Sequence, residues 1–129
     1  MKSRESVVRL KRFQVDEKRR QVTQIETMIA EFERMAKDLD DQIVAEQERS
    51  GIRDAGHFAY PTFAKAAMQR RDNLVASAND LKAQLATAQE EYAAAVEELE
   101  KYEAIAERDH GRAMGEAAPE PRSASALAR

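Results

Sequence analysis

Two stretches of the chain repeat a residue class at alternating steps of three and four, and few folds accept such a pattern. The first runs through Val8, Lys11, Val15, Lys18, Val22, Ile25, Ile29, Phe32, Ala36, Leu39, Ile43 and Glu46. The second runs through Tyr60, Ala64, Ala67, Arg71, Leu74, Ala78, Leu81, Leu85, Ala88, Tyr92, Ala95, Leu99, Tyr102 and Ala106. An average step of three and a half is the heptad spacing of helices that pack along a seam. Each segment reads as a helix of about 45 to 50 residues, about 70 Å long at 1.5 Å per residue. Polar helices of that length gain most of their stability by burying their apolar stripe. Each therefore needs a partner, and the nearest is the other segment.

Composition leaves little room for a globular alternative. Of 129 residues 35% are charged and 5% aromatic, and alanine makes up much of the 43% that are hydrophobic, so no thick core can form. Periodic apolar residues also argue against disorder throughout. The absence of cysteine removes disulfides and thiolate metal sites. The first twenty residues are rich in charge, and no apolar run approaches the roughly 18 residues needed to cross a bilayer. A cytoplasmic protein is expected, held at a membrane at most through other proteins and without direct insertion. A net charge of -3 argues against nucleic-acid binding by bulk electrostatics.

Between the two segments, GIRDAGHFAYPTFAK (residues 51–65) gathers two Gly, one Pro and three aromatic rings. Gly51 is suited to end the first helix in the left-handed conformation, and Pro61 to the first turn of the second. The stretch is expected to be the tip of a hairpin. Charge supports the same geometry. Residues 1–20 hold eight Lys and Arg against three acids, for +5, and residues 90–109 hold eight acids against two bases, for -6. Folding back about residue 55 sets opposite charges side by side, whereas a parallel in-register dimer would stack like on like. Exposed pairs contribute well under about 1 kcal/mol each, so their role is to choose orientation. The stems of Lys11 and Lys18 can lie over Ala95, Ala106 or the Tyr rings while their ammonium groups reach Glu98, Glu91 or Glu103. The predicted fold is all-α, two long helices forming an antiparallel coiled-coil hairpin. Helix one is expected over about 4–50, the tip over 51–60, helix two over about 61–110, and a flexible tail over 111–129.

The sequence carries no enzyme signature. It has no glycine-rich phosphate loop and no nucleophile with a base at usable spacing, and neither His57 nor His110 has a second ligand at metal spacing. Glu90 and Glu91, like Glu97 and Glu98, are helix neighbours that point in different directions. No catalysis, cofactor, metal or small-molecule substrate is expected. Two surfaces are left over. Leu10 and Phe13 lie opposite Val8 and Val15 on the helical wheel, ringed by Arg9, Arg12 and Arg20; they form either a docking patch or ordinary surface hydrophobes. Phe58, Tyr60 and Phe63 gather at the tip, either as a plug or as a contact epitope.

The tip resembles that of the flagellar export protein FliJ family, where a Gly followed by Ile or Leu precedes an aromatic, a Tyr and a Phe. Here these are Gly51, Ile52, Tyr60 and Phe63. The opening VVRLKRFQVDEKRRQV is also similar to that family's start, and the resemblance covers residues 1 to about 110. The family's tip tryptophan is replaced by His57 or Phe58, and the short Pro and Ala tail departs from the family's charged extensions. The resemblance implies a non-enzymatic, stalk-like part of the flagellar type III export apparatus, peripherally associated with the inner membrane. Its partners would be the hexameric export ATPase, the export gate protein and export chaperones. The ATPase-facing residues it implies are Val7, Arg9, Leu10, Arg12, Phe13, Tyr102 and Ile105. The gate-facing ones are Phe58, Tyr60, Phe63, Ala67 and Leu74. The alternatives are a scaffolding coiled coil that dimerises, which a mass measurement separates, and a nucleic-acid-binding hairpin, which the neighbouring glutamates oppose.

Overall fold

A computed structural model describes residues 2–117, with side chains described over residues 4–112. The described residues form an all-α helical hairpin of two packed helices, α1 (Lys2–Ser50) and α2 (Thr62–Ala117), with no strand among them. Every seam position named above is buried or half-buried. By internal packing the chain divides into two units, one of residues 21–88 and one of residues 1–20 together with 89 onward.

In the unit of residues 21–88, the helices' buried large side chains come mostly from α1 and the small ones mostly from α2, with Ala36 and Leu81 the exceptions. Ile29, Leu39 and Ile43 are buried on one side, and Ala64, Ala67, Ala78 and Ala88 on the other. Leu39, Ile43 and Ala67 form a continuous cluster, with Met68 and Leu74 packed against it. Burying one Ile or Leu side chain contributes about 1.5–3 kcal/mol, and alanine opposite lets the helix axes approach. Polar groups then fix the register. Arg71 occupies a seam position, and its Nη1 donates to Asp40 Oδ1 across the interface at 2.8 Å while Nη2 donates to Asp72 at 2.9 Å. The bonds to Asp40 and then Asp72 raise the guanidinium's affinity for its proton, so a charge placed on the seam stays paired. Lys82 reaches Glu33 at 2.9 Å. At the last seam position of α1, hydrogen bonding to Arg49 lowers the pKa of Glu46.

The ends of this unit's helices follow from Gly51 and Pro61. Gly51 adopts φ 77° and its amide donates to the Gln47 carbonyl at 2.8 Å, closing α1 as the left-handed cap requires. The Pro61 carbonyl accepts the Lys65 amide at 3.1 Å and starts α2; a proline there forfeits only an amide with no helical partner. Tyr60 is 7% exposed, and its hydroxyl accepts from Gln47 Nε2 at 2.9 Å and lies 3.4 Å from Met68 Sδ. It plugs the space between the helix ends.

In the other unit the start of α1 packs along residues 89–109 of α2. Val8 and Val15 are buried, while Tyr92, Ala95, Leu99, Tyr102 and Ala106 are half-buried. Among the described residues four ion pairs cross the interface: Arg4–Asp109 at 2.6 Å, Arg12–Glu103 at 3.2 Å, Lys11–Glu98 at 3.5 Å and Lys18–Glu91 at 3.0 Å. Advancing from Arg4 to Lys18 moves the partner back from Asp109 to Glu91, as antiparallel packing demands. Lys11 and Lys18 keep their seam positions with their ammonium groups on the expected carboxylates.

One boundary differs from the sequence reading. α2 continues through His110 to Ala117 rather than ending near 110. Each of Gly111 and Gly115 costs roughly 1 kcal/mol in a helix but does not forbid it, and Arg112, Ala113, Met114, Glu116 and Ala117 are good helix formers. The remainder of the expected flexible tail lies outside the described residues.

Candidate functional site

Two surfaces carry the residues that the sequence singled out, and each belongs to one unit. The first lies at the start of α1. Leu10 and Phe13 are 52% and 57% exposed. Three residues apart, they share one side of the helix, and Arg9, four before Phe13, joins them. The hairpin leaves this face open because Val8 and Val15 turn the opposite face to α2.

Pairing of the neighbouring charges makes the patch less basic than the sequence suggests. Arg12 is held by Glu103, and Arg20 by Glu17 at 2.8 Å. Arg9 forms no ion pair among the described residues. Arg9 and Arg12 line a groove of ≈490 Å³ together with Val8, Ala106, Glu103 and Glu107. With Glu5 the groove is lined by three carboxylates and two guanidinium groups, so its charges nearly cancel and its field strongly favours neither a small anion nor a small cation. Among the other residues assigned to the ATPase-facing end, Val7, Tyr102 and Ile105 are half-buried. The Tyr102 ring sits 5.1 Å from Lys11 Nζ, a cation–π contact that holds it inside the hairpin.

The second surface is the tip. Phe58 is 96% exposed and Phe63 54%. Their companions in the expected gate-facing set lie elsewhere: Tyr60 and Ala67 are buried and Leu74 packs on the core. Phe63, Ala67 and Leu74 share a face by spacing, but that face is the one α2 turns to α1, with Phe63 at its exposed margin. Of that expected set only Phe58 and Phe63 are left open, because Tyr60, Ala67 and Leu74 are occupied by packing.

The loop between the helices is ordered by its own polar groups. Ser50 Oγ accepts the Ile52 amide at 3.1 Å. Asp54 Oδ1 accepts the Gly56 amide at 3.0 Å, and the Asp54 carbonyl accepts that of His57 at 3.0 Å. His57 Nδ1 accepts the Ala59 amide and its carbonyl the Tyr60 amide, both at 3.0 Å. The His57 and Phe58 rings stack with centroids 4.7 Å apart at 21°. Periodicity along a helix signals none of these bonds; only the Asp, Ser and Gly content of the stretch hinted at local turns.

The described residues contain no cluster of His, Cys, Asp and Glu arranged to hold a metal, and no helix among them is long and apolar enough to cross a membrane. No family model, curated protein or solved structure matches the chain.

Proposed function

We propose that this chain is a non-enzymatic component of a flagellar type III export apparatus, a stalk-like coiled coil that binds the export ATPase ring. In this reading it promotes the ring's assembly and turnover and links it to the export gate and chaperones, working in the cytoplasm at the inner membrane. The observation that carries it is the exposed Arg9, Leu10 and Phe13 face on a helix whose opposite face is already consumed by packing. An aromatic and an aliphatic anchor beside an arginine is the composition of a protein contact. The FliJ-like residues Gly51, Ile52, Tyr60 and Phe63 and the basic, aliphatic opening supply the identity of the partner.

The mechanism needs no chemistry in the chain itself. A protein that binds assembled ring better than free subunits shifts assembly by that difference in affinity. Leu10 and Phe13 supply apolar area to such a contact, and Arg9 supplies a donor for a carboxylate on the partner. Phe58 and Phe63 provide a second, separate contact for the gate.

The test mixes the purified chain with the purified ATPase. Raised hydrolysis and more hexamer are expected, with none by the chain alone; unchanged hydrolysis and assembly overturn the proposal. Phe13→Asp should weaken ATPase binding at least about tenfold, about 1.4 kcal/mol, with helicity by circular dichroism unchanged. Equal capture of the variant and the unaltered chain would make the patch ordinary surface.

A further inference from the structure

The tip holds a titratable side chain that acts as a hydrogen-bond acceptor, and neither the hairpin nor the docking faces use that property. His57 Nδ1 accepts the Ala59 amide at 3.0 Å. A ring nitrogen accepts only while it carries no proton, so this bond exists with neutral imidazole bearing its proton on Nε2. The same ring is the surface on which Phe58, 96% exposed, is stacked.

We infer that His57 is a proton-sensitive latch for the tip: neutral, it holds the Ala59 amide and backs Phe58, and protonated, it releases both. A proton on Nδ1 sets N–H against N–H, and the ring must turn to separate them. Turning the ring removes the face on which Phe58 rests. The two bonds through the backbone at residue 57, to Asp54 and from Tyr60, do not involve the ring and survive. The change is therefore confined to Phe58 and Ala59 and leaves Tyr60 seated.

Asp54 accepts the Gly56 amide through Oδ1, and Arg53 faces Glu48 of α1 at 3.9 Å. Neither these nor Lys65, in the first turn of α2, forms an ion pair with His57 among the described residues. The sign follows from the tautomer. Tip order favours the neutral ring, so order is present at the alkaline side of the imidazole's titration and is lost as pH falls through it. Protonation of the ring therefore changes how Phe58 is presented.

The test is a pH titration of the full chain by nuclear magnetic resonance, following the His57 ring nitrogens and the Ala59 amide from pH 8 to pH 5. At pH 8 the ring should show the Nε2–H tautomer and the Ala59 amide a hydrogen-bonded shift. Both should change with one midpoint, and exchange protection of the Ala59 amide should fall at least tenfold at pH 5. His57→Ala should abolish the pH response of Ala59 and Phe58 with helix content unchanged. The His110 ring signals, present in both proteins, serve as the control. An Nδ1–H tautomer at pH 8, or an Ala59 amide indifferent to the His57 midpoint, would overturn the inference.

Discussion

Gly51 holds a backbone angle of +77° that side-chain-bearing residues adopt only with strain. A Cβ added there meets nothing within 4 Å, so the cost of Gly51→Ala is conformational rather than steric. It should destabilise the chain by roughly 1 kcal/mol, seen as a lower denaturant midpoint with an unchanged slope. No loss would mean that α1 ends by another device. Gly51 and Pro61 were legible because their backbone preferences are intrinsic and need no knowledge of neighbours. The hydrogen-bond partners of Tyr60, His57 and Arg71 were not. The Tyr60 hydroxyl meets Gln47 thirteen residues away, and Arg71 meets Asp40 thirty-one residues away. Such meetings depend on the register between helices, which periodicity along one helix leaves unspecified.

At the scale of the helix, periodicity supplied the seam almost entire, polar positions included, because a residue on the inner face is buried whatever its type. Direction of use was harder to read. The spacing of Phe63, Ala67 and Leu74 correctly put them on one face, but spacing alone does not say whether a face meets solvent or the other helix. Ala64 is 0% exposed and Ala67 3%, which makes α2's alanines the feature that sets helix spacing. Ala64→Leu should destabilise by about 1–3 kcal/mol through overpacking. Ala76→Leu, on an exposed turn of the same helix, should stay within about 0.5 kcal/mol. Equal effects in thermal melts would show that the small side chains are not what brings the helices together. The end of α2 was misplaced because glycine weakens a helix by a small increment, while the alanines, Met and Arg around it restore the balance.

For the molecule as a whole, the arrangement of charge specifies how the chain folds back. The pairs Arg4–Asp109, Lys11–Glu98, Arg12–Glu103 and Lys18–Glu91 are all solvent-accessible, so each contributes at most about 1 kcal/mol. Their joint effect is to make one orientation better than its rivals. Replacing Arg4, Lys11, Arg12 and Lys18 by Glu should lower stability by about 1–3 kcal/mol through lost attraction and new repulsion. Changing Asp109, Glu98, Glu103 and Glu91 to Lys in the same chain should restore most of it, and 1 M salt should shrink the difference. A doubly reversed chain no more stable than the singly reversed one would show that these pairs do not guide the fold.

Function and fold both rest on residues near the start of α1 lying beside residues near the end of α2 in the same molecule. Cysteines placed by Arg9→Cys and Glu107→Cys, which line one groove, can be spin-labelled and diluted into unlabelled protein so that only distances within one chain register. Helices packed 8–10 Å apart, with the label arms added, give an expected distance of about 10–20 Å. Helices laid end to end would separate the labels by on the order of 100 Å at 1.5 Å per residue, and such a distance, or none within one chain, would contradict the hairpin.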